Sequence, residues 1–264
     1  MADGATAPAA PAAPAAPETS IAHPWRPEPG TIAVDRAEML RYLGYRGQEL
    51  EPELARRIDA VVEELERRCT PRGSWALFPL GAPRVPEGGT PRLALEGSTV
   101  VLEGIDIFRH LRGARYVAVL ACTLGLENER MLRTLGSQRP LEGAVLDAAC
   151  SSLIEAAVSA LDALVAECAR ARGFSTNRRF SPGYGDLPLA CQPQLLAAAN
   201  ATRLAGIGAT ATDLLVPAKS VTALIGWFAG EPADADEGPR CATCPARGGC
   251  PFFARGETCA PRGA

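Results

Sequence analysis

The sequence predicts an α+β fold, and three observations carry that expectation. Helical periodicity over 52–69 and 141–171 is mixed irregularly with short β-type runs, unlike the strict strand–helix repeat of a doubly wound sheet. Tyr116 to Cys122 is an unbroken apolar run, the pattern of a buried strand. Of the 264 residues, about 230 remain after an Ala/Pro-rich start, enough for one domain with a sizeable core.

Ala5 to Pro17 is almost entirely alanine and proline, and prolines recur at 24, 27 and 29. Such a run buries nothing specific, and its prolines lack the N–H that a ladder needs, so residues 1–30 read as a disordered leader. It lacks the basic start and leucine-rich stretch of a secretory signal. The folded domain is expected over 31–232, followed by a cysteine-rich tail over 233–264.

Asp35 is placed to cap a short helix through Met39 and Tyr42 that stops at Gly44. In 52–69, Leu54, Ile58, Val61, Val62 and Leu65 share one face and Pro52 suits the first turn. Pro71 and Gly73 end that helix. Ser74 to Leu80 and Ser98 to Glu103 read as strands separated by a Pro/Gly-rich connection. Ile105 to Leu111 is one or two helical turns, and Leu126 to Leu135 is a helix. The longest helix spans 141–171, with Leu146, Ala149, Leu153, Ala157, Leu161, Leu164 and Cys168 at three- and four-residue steps. Gln192 to Leu204 is a further helix; Thr210 to Val216 and Ser220 to Phe228 are strands bent at Pro217.

Composition excludes several classes. Net charge is −3 with both signs interspersed, and the Arg pairs at 56–57, 67–68 and 178–179 make no basic stripe, so no nucleic-acid partner is expected. No uninterrupted run of eighteen apolar residues appears, so no membrane partner is expected. Nine cysteines without a secretory signal indicate a reducing, cytoplasmic setting. The two histidines, His23 and His110, do not form a Ser-His-Asp or Cys-His arrangement, and His110 reads as a helix-surface or packing residue.

Arg178 to Pro188 holds the densest chemistry. Pro182 presets φ for a turn and Gly183 supplies the positive φ that a type II turn needs next. Gly185 lacks a Cβ, so a ligand could lie against the backbone there. The Arg179 fork suits a carboxylate and the face of Tyr184 suits a cation. The loop therefore fits a small zwitterionic or cationic ligand; the bland alternative is a surface turn with solvated arginines. Asp186 serves capping or turn closure.

Cys241-x2-Cys244-x5-Cys250-x8-Cys259 lies among Pro245, Gly248, Gly249, Pro251 and Gly256. Thiolates on such a loop can converge on one metal, either a [4Fe–4S] cluster, which is favoured, or structural zinc. Cys69, Cys122, Cys150 and Cys168 read as small buried hydrophobes, and Cys191 as either packing or functional. Lys219 reads as groove-lining or solvated. The strand-to-helix turn at Thr123-Leu124-Gly125 lacks Gly-x-Gly-x-x-Gly, which argues against a Rossmann methyltransferase.

Several segments together resemble the activation domain of cobalamin-dependent methionine synthase, including its free-standing form: Arg41-Tyr42-Leu43-Gly44-Tyr45, Thr123-Leu124-Gly125, Arg179-Phe180-Ser181-Pro182-Gly183-Tyr184-Gly185-Asp186, and Val216-Pro217-Ala218-Lys219-Ser220-Val221-Thr222-Ala223. The resemblance implies a curved, mainly antiparallel sheet flanked by helices, with S-adenosylmethionine in a shallow groove. It implies that Arg179 takes the methionine carboxylate, that Tyr184 packs on the ligand, that Ser181, Gly183 and Gly185 offer backbone to it, and that Glu155 is an acidic contact. The integral domain's later tyrosine is absent, with Leu224 and Ile225 in that neighbourhood.

The function so implied is that of an accessory protein for reductive methylation of cob(II)alamin. Cobalamin would sit on a corrinoid-dependent methionine synthase or related partner, with a flavodoxin or ferredoxin as electron donor. The alternative is an iron–sulfur or zinc protein that serves another corrinoid methyltransferase as an electron-transfer or scaffold module.

Overall fold

A computed structural model describes residues 16–87 and 89–232; the cysteine tail, with Cys241, Cys244, Cys250 and Cys259, lies outside the described residues. The elements are β1 (Ala22–Trp25), α1 (Arg36–Tyr42), α2 (Pro52–Arg68), β2 (Arg72–Pro79), β3 (Arg92–Ala94), β4 (Val101–Glu103), α3 (Ile105–Leu111), β5 (Tyr116–Thr123), α4 (Glu127–Gln138), α5 (Pro140–Arg170), β6 (Ser175–Thr176), α6 (Gln192–Ala198), α7 (Ala201–Ala205), β7 (Gly208–Ala209), β8 (Leu215–Val216) and β9 (Ser220–Phe228). A five-stranded sheet in the order β1-β2-β5-β9-β6 is antiparallel throughout. The α+β expectation, with an antiparallel sheet flanked by helices, holds.

The apolar run of β5 is explained by its neighbours. Ala118, Leu120 and Cys122 face one core with α1, α2, α4 and α5, while Val117, Val119 and Ala121 face a second core with α3, α6 and α7. A strand covered on both faces has no polar alternation to show. α5 is the spine of the first layer and is apolar and long enough to cross a bilayer. Here its apolar face is buried against β5, β9 and three helices, so its composition is that of a core helix. Arg139, extended before Pro140, separates α4 from α5. The two helices then approach at bare backbone: a Cβ on Gly143 would lie 2.8 Å from Gly136 Cα.

Four expectations need correction. The leader does not extend to residue 30, because Ala22–Trp25 pairs antiparallel with Ala76 to Gly73. Pro24 is tolerated because β1 is an edge strand, and Trp25 is buried while His23 stacks on Trp75 at 4.9 Å. The 98–103 strand is shorter, and its antiparallel partner β3 lies directly after the 81–91 connection, where no strand was expected. The helix expected over 192–204 is broken at Asn200, which takes a left-handed φ of 49° between α6 and α7. Of Thr210 to Val216 only β8 is strand; it pairs with β7, and Thr210 closes a turn by accepting from Leu214 N through its hydroxyl at 3.1 Å.

The core thiols behave as packing groups. Cys69, Cys122, Cys150 and Cys191 are buried and Cys168 half-buried. Cys191 donates to Pro188 O at 3.1 Å, which settles it as packing at a short helical turn.

Burial pushes Cys69 and Cys191 up to about 11 and Cys122 and Cys150 up to about 12, from a usual 9.0. A raised thiol favours the folded state below its unfolded value, and that stability is lost as pH rises through the folded value. The urea midpoint is therefore expected to fall from pH 9 upward, less steeply in Cys122→Ala; equal slopes would contradict this. Gly73 is a second test. A Cβ there would lie 2.5 Å from Ala121 O, so Gly73→Ala should cost about 2 kcal/mol. Gly136→Ala, with open space beside it, should gain roughly 0.5–1 kcal/mol in the same denaturation assay.

Candidate functional site

The site grows from the edge of the sheet. After β6, the Asn177 amide is locked: Nδ2 donates to His110 O at 2.7 Å and Oδ1 accepts from Gly226 N at 2.8 Å. Phe180 then exchanges both backbone hydrogen bonds with Leu224 of β9, at 2.9 and 2.8 Å. Strand alternation puts neighbouring side chains on opposite faces. Phe180 enters the second core against the His110 ring, at 5.0 Å. Arg179 turns the other way, onto α5.

On α5, Arg179 meets three residues in successive turns. Nη2 donates to Glu155 Oε2 at 2.7 Å, Nη1 donates to Ser159 Oγ at 3.2 Å, and Nη1 lies 3.7 Å from Asp162 Oδ2. Burial pushes the Asp162 carboxyl up, and Arg179 opposes that shift. Two of the expected ligand contacts, Arg179 and Glu155, are thus brought together across the fold. Asp162 and Ser159 were missed. The available signal was a polar stripe (Asp147, Ser151, Glu155, Ser159, Asp162) that interrupts an otherwise apolar helix at helical spacing.

Glu155 also forms part of a groove of about 560 Å³, lined by Tyr42 and Leu43 of the α1 end and by Asp147, Ala148 and Ser151 of α5. α1 is tied to α5 through Ser152, whose hydroxyl accepts from Asp35 N at 2.9 Å and donates to Asp35 O at 3.1 Å. The Asp35 side chain caps α1 at Glu38 N as expected, at 3.0 Å. Tyr42 donates to Glu38 Oε1 at 2.9 Å, and burial together with that carboxylate pushes its phenol well above the usual tyrosine range. Lys219 contacts two residues of the groove wall: its Nζ reaches Asp147 Oδ1 and Ser151 Oγ, both at 2.8 Å.

The Ser181–Gly185 turn takes the expected form. Tyr184 N donates to Ser181 O at 3.1 Å and Gly183 has φ 89°, as a type II turn requires. Ser181 is half-buried, and Tyr184 is 61% exposed, its ring 6.2 Å from Phe180 and edge-on. Asp186 closes the loop by accepting from Ile105 N at 2.5 Å and Asp106 N at 3.0 Å, capping α3.

A Cβ at Gly185 would run into the Asp106 carboxylate, and the φ of 53° is left-handed, so the position needs glycine on account of α3 and its backbone whether or not a ligand lies there. Arg179 is the link between turn and groove. Its side chain reaches Glu155 on the groove wall, and its backbone enters the turn within two residues.

Chemically, the cluster around Arg179 offers a guanidinium, two carboxylates and a hydroxyl, while the exposed Tyr184 ring packs edge-on to Phe180. Among the described residues, no group of three or more His, Cys, Asp or Glu could hold a metal. Replacing Asp186 by Ala should cost about 1 kcal/mol, the usual worth of a helix cap. It should also speed amide hydrogen exchange at Ile105 and Asp106; unchanged exchange there would show that the carboxylate does not hold the loop.

No protein-family model matches the chain, and no curated protein matches it. Among solved structures, it is similar to the crystal structure of the MetH reactivation domain bound to AdoHcy, with a TM-score of 0.60 and 16% identity over 80% of this chain and 79% of that one. The chain therefore has a reactivation-domain-like fold.

Proposed function

We propose that this protein binds S-adenosylmethionine and supports reductive methylation of cob(II)alamin on a corrinoid-dependent methionine synthase or related corrinoid protein. One observation carries the reading: Arg179 and Glu155, distant in sequence, meet at 2.7 Å, with Arg179 two residues before the Ser181–Tyr184 turn, on a fold shared with a domain solved with AdoHcy. A zwitterionic amino-acid group needs that pair, with the guanidinium for its carboxylate and the carboxylate for its ammonium. The exposed ring of Tyr184 suits a sulfonium cation.

In this reading the chain needs no nucleophile or general base. Arg179 and Glu155 grip the amino-acid end, the Ser181–Tyr184 turn offers backbone and ring to the adenosyl end, and an open site leaves the methyl accessible, so orientation supplies most of the rate. On the partner, one-electron reduction gives cob(I)alamin, whose attack on the methyl carbon forms the cobalt–carbon bond, breaks the carbon–sulfur bond and leaves S-adenosylhomocysteine.

The electron would come from a flavodoxin, a ferredoxin or a [4Fe–4S] cluster on Cys241, Cys244, Cys250 and Cys259, with zinc as the structural alternative there. The cytoplasmic setting rests on the thiols alone.

Calorimetry on the full chain tests the reading. S-adenosylmethionine should bind, and Arg179→Ala should weaken it at least tenfold, the usual loss when a charged hydrogen bond is removed. No binding would reject the reading and leave the electron-transfer or scaffold module. That module predicts brown iron–sulfur absorbance after anaerobic reconstitution, with no response to S-adenosylmethionine.

A further inference from the structure

Arg179 faces more carboxylate than one arginine requires. Glu155 lies on its Nη2, while Asp162 and Ser159 lie on its Nη1. The two sides differ in surroundings. Glu155 is 43% exposed and forms part of the groove wall, whereas Asp162 is 25% exposed and lies nearly two turns further along α5. A zwitterionic ligand must take Glu155 away from Arg179, because its own carboxylate needs the Nη2 edge and its ammonium needs Glu155. At that moment the guanidinium would swing freely unless something on its far edge kept hold of it.

Resting on the reading that the site binds S-adenosylmethionine, we infer that Asp162, aided by Ser159, is the positioning residue of Arg179. It retains Nη1 while Glu155 is exchanged for the ligand carboxylate. Glu155 is then an internal stand-in for that carboxylate until the ligand binds. Asp162 stays in place in both states and fixes the plane in which the fork is presented. A fork held on one edge loses less freedom on binding than a free side chain, so the ligand is spared that cost. The Asp162 separation of 3.7 Å lies outside hydrogen-bond reach, so Asp162 acts as an ion-pair partner.

The test compares two probes on the full chain. S-adenosylmethionine has the carboxylate; its decarboxylated analogue keeps the adenosyl, sulfonium and ammonium groups but gives Arg179 nothing to bind. Asp162→Asn should weaken S-adenosylmethionine about tenfold, as expected for one lost charged interaction. It should leave the analogue within about twofold, and Asp162→Glu should restore part of the loss. Ser159→Ala should act in the same direction more weakly. Equal or tighter binding of S-adenosylmethionine by Asp162→Asn, or equal loss for both probes, would overturn the inference while Arg179-dependent binding by the wild-type chain left the functional reading standing. Failure of the wild-type chain to bind S-adenosylmethionine would overturn both.

Discussion

The register of β5 between β2 and β9 is the constraint on which the rest depends. All eight of its residues are paired on both sides, and its alternate side chains enter two different cores. A slip by one residue would exchange the contents of both cores at once, so the pairing has one tolerable solution. That solution positions β9, which in turn holds Phe180 through Leu224. Phe180 is pulled into one core, and its neighbour Arg179 is delivered to the opposite face, where α5 waits. The position of the guanidinium thus follows from hydrophobic packing, at no cost to local backbone geometry.

Charge at this site is arranged by the same helix that supplies the core. α5 presents apolar residues to the sheet and a single polar line along the margin. The cations that meet this line, Lys219 and Arg179, come from the start of β9 and from the segment after β6. Each is answered by a carboxylate and a hydroxyl from α5. Ion pairs this exposed contribute little to stability; their worth lies in holding side chains at a groove edge until something displaces them.

Much of this was legible in the residues. Asp35 caps α1, and Pro52 opens α2. The long helix over α5 falls within a residue of its expected bounds, because strong periodicity and terminal signals agree there. The Pro182–Gly183 turn was readable from φ preferences alone, and Asp186 as a cap from its chemistry. Other features were hidden for identifiable reasons. β1 carries Pro24, which signals a break unless the strand lies at an edge, and edges are a property of the assembled sheet. Asn200 interrupts a segment whose flanks are good helix formers. Gly185 read as room for a ligand, and its closeness to the Asp106 side chain on α3 showed only in the assembled fold. Arg179 and Glu155 were each expected as ligand contacts only through resemblance, and their direct pairing was not expected, since no local rule joins a helix to a loop beyond it.

The two margins of the sheet have a consequence for how this protein can meet another. β1 has four residues with a proline among them, and β6 has two. Neither offers a row of unsatisfied amides long enough to zip onto a foreign strand. Edge strands this short disfavour β-augmentation at these two elements. Recognition through surface relief and side-chain chemistry is then favoured over strand pairing, which lets an association be brief and reversible.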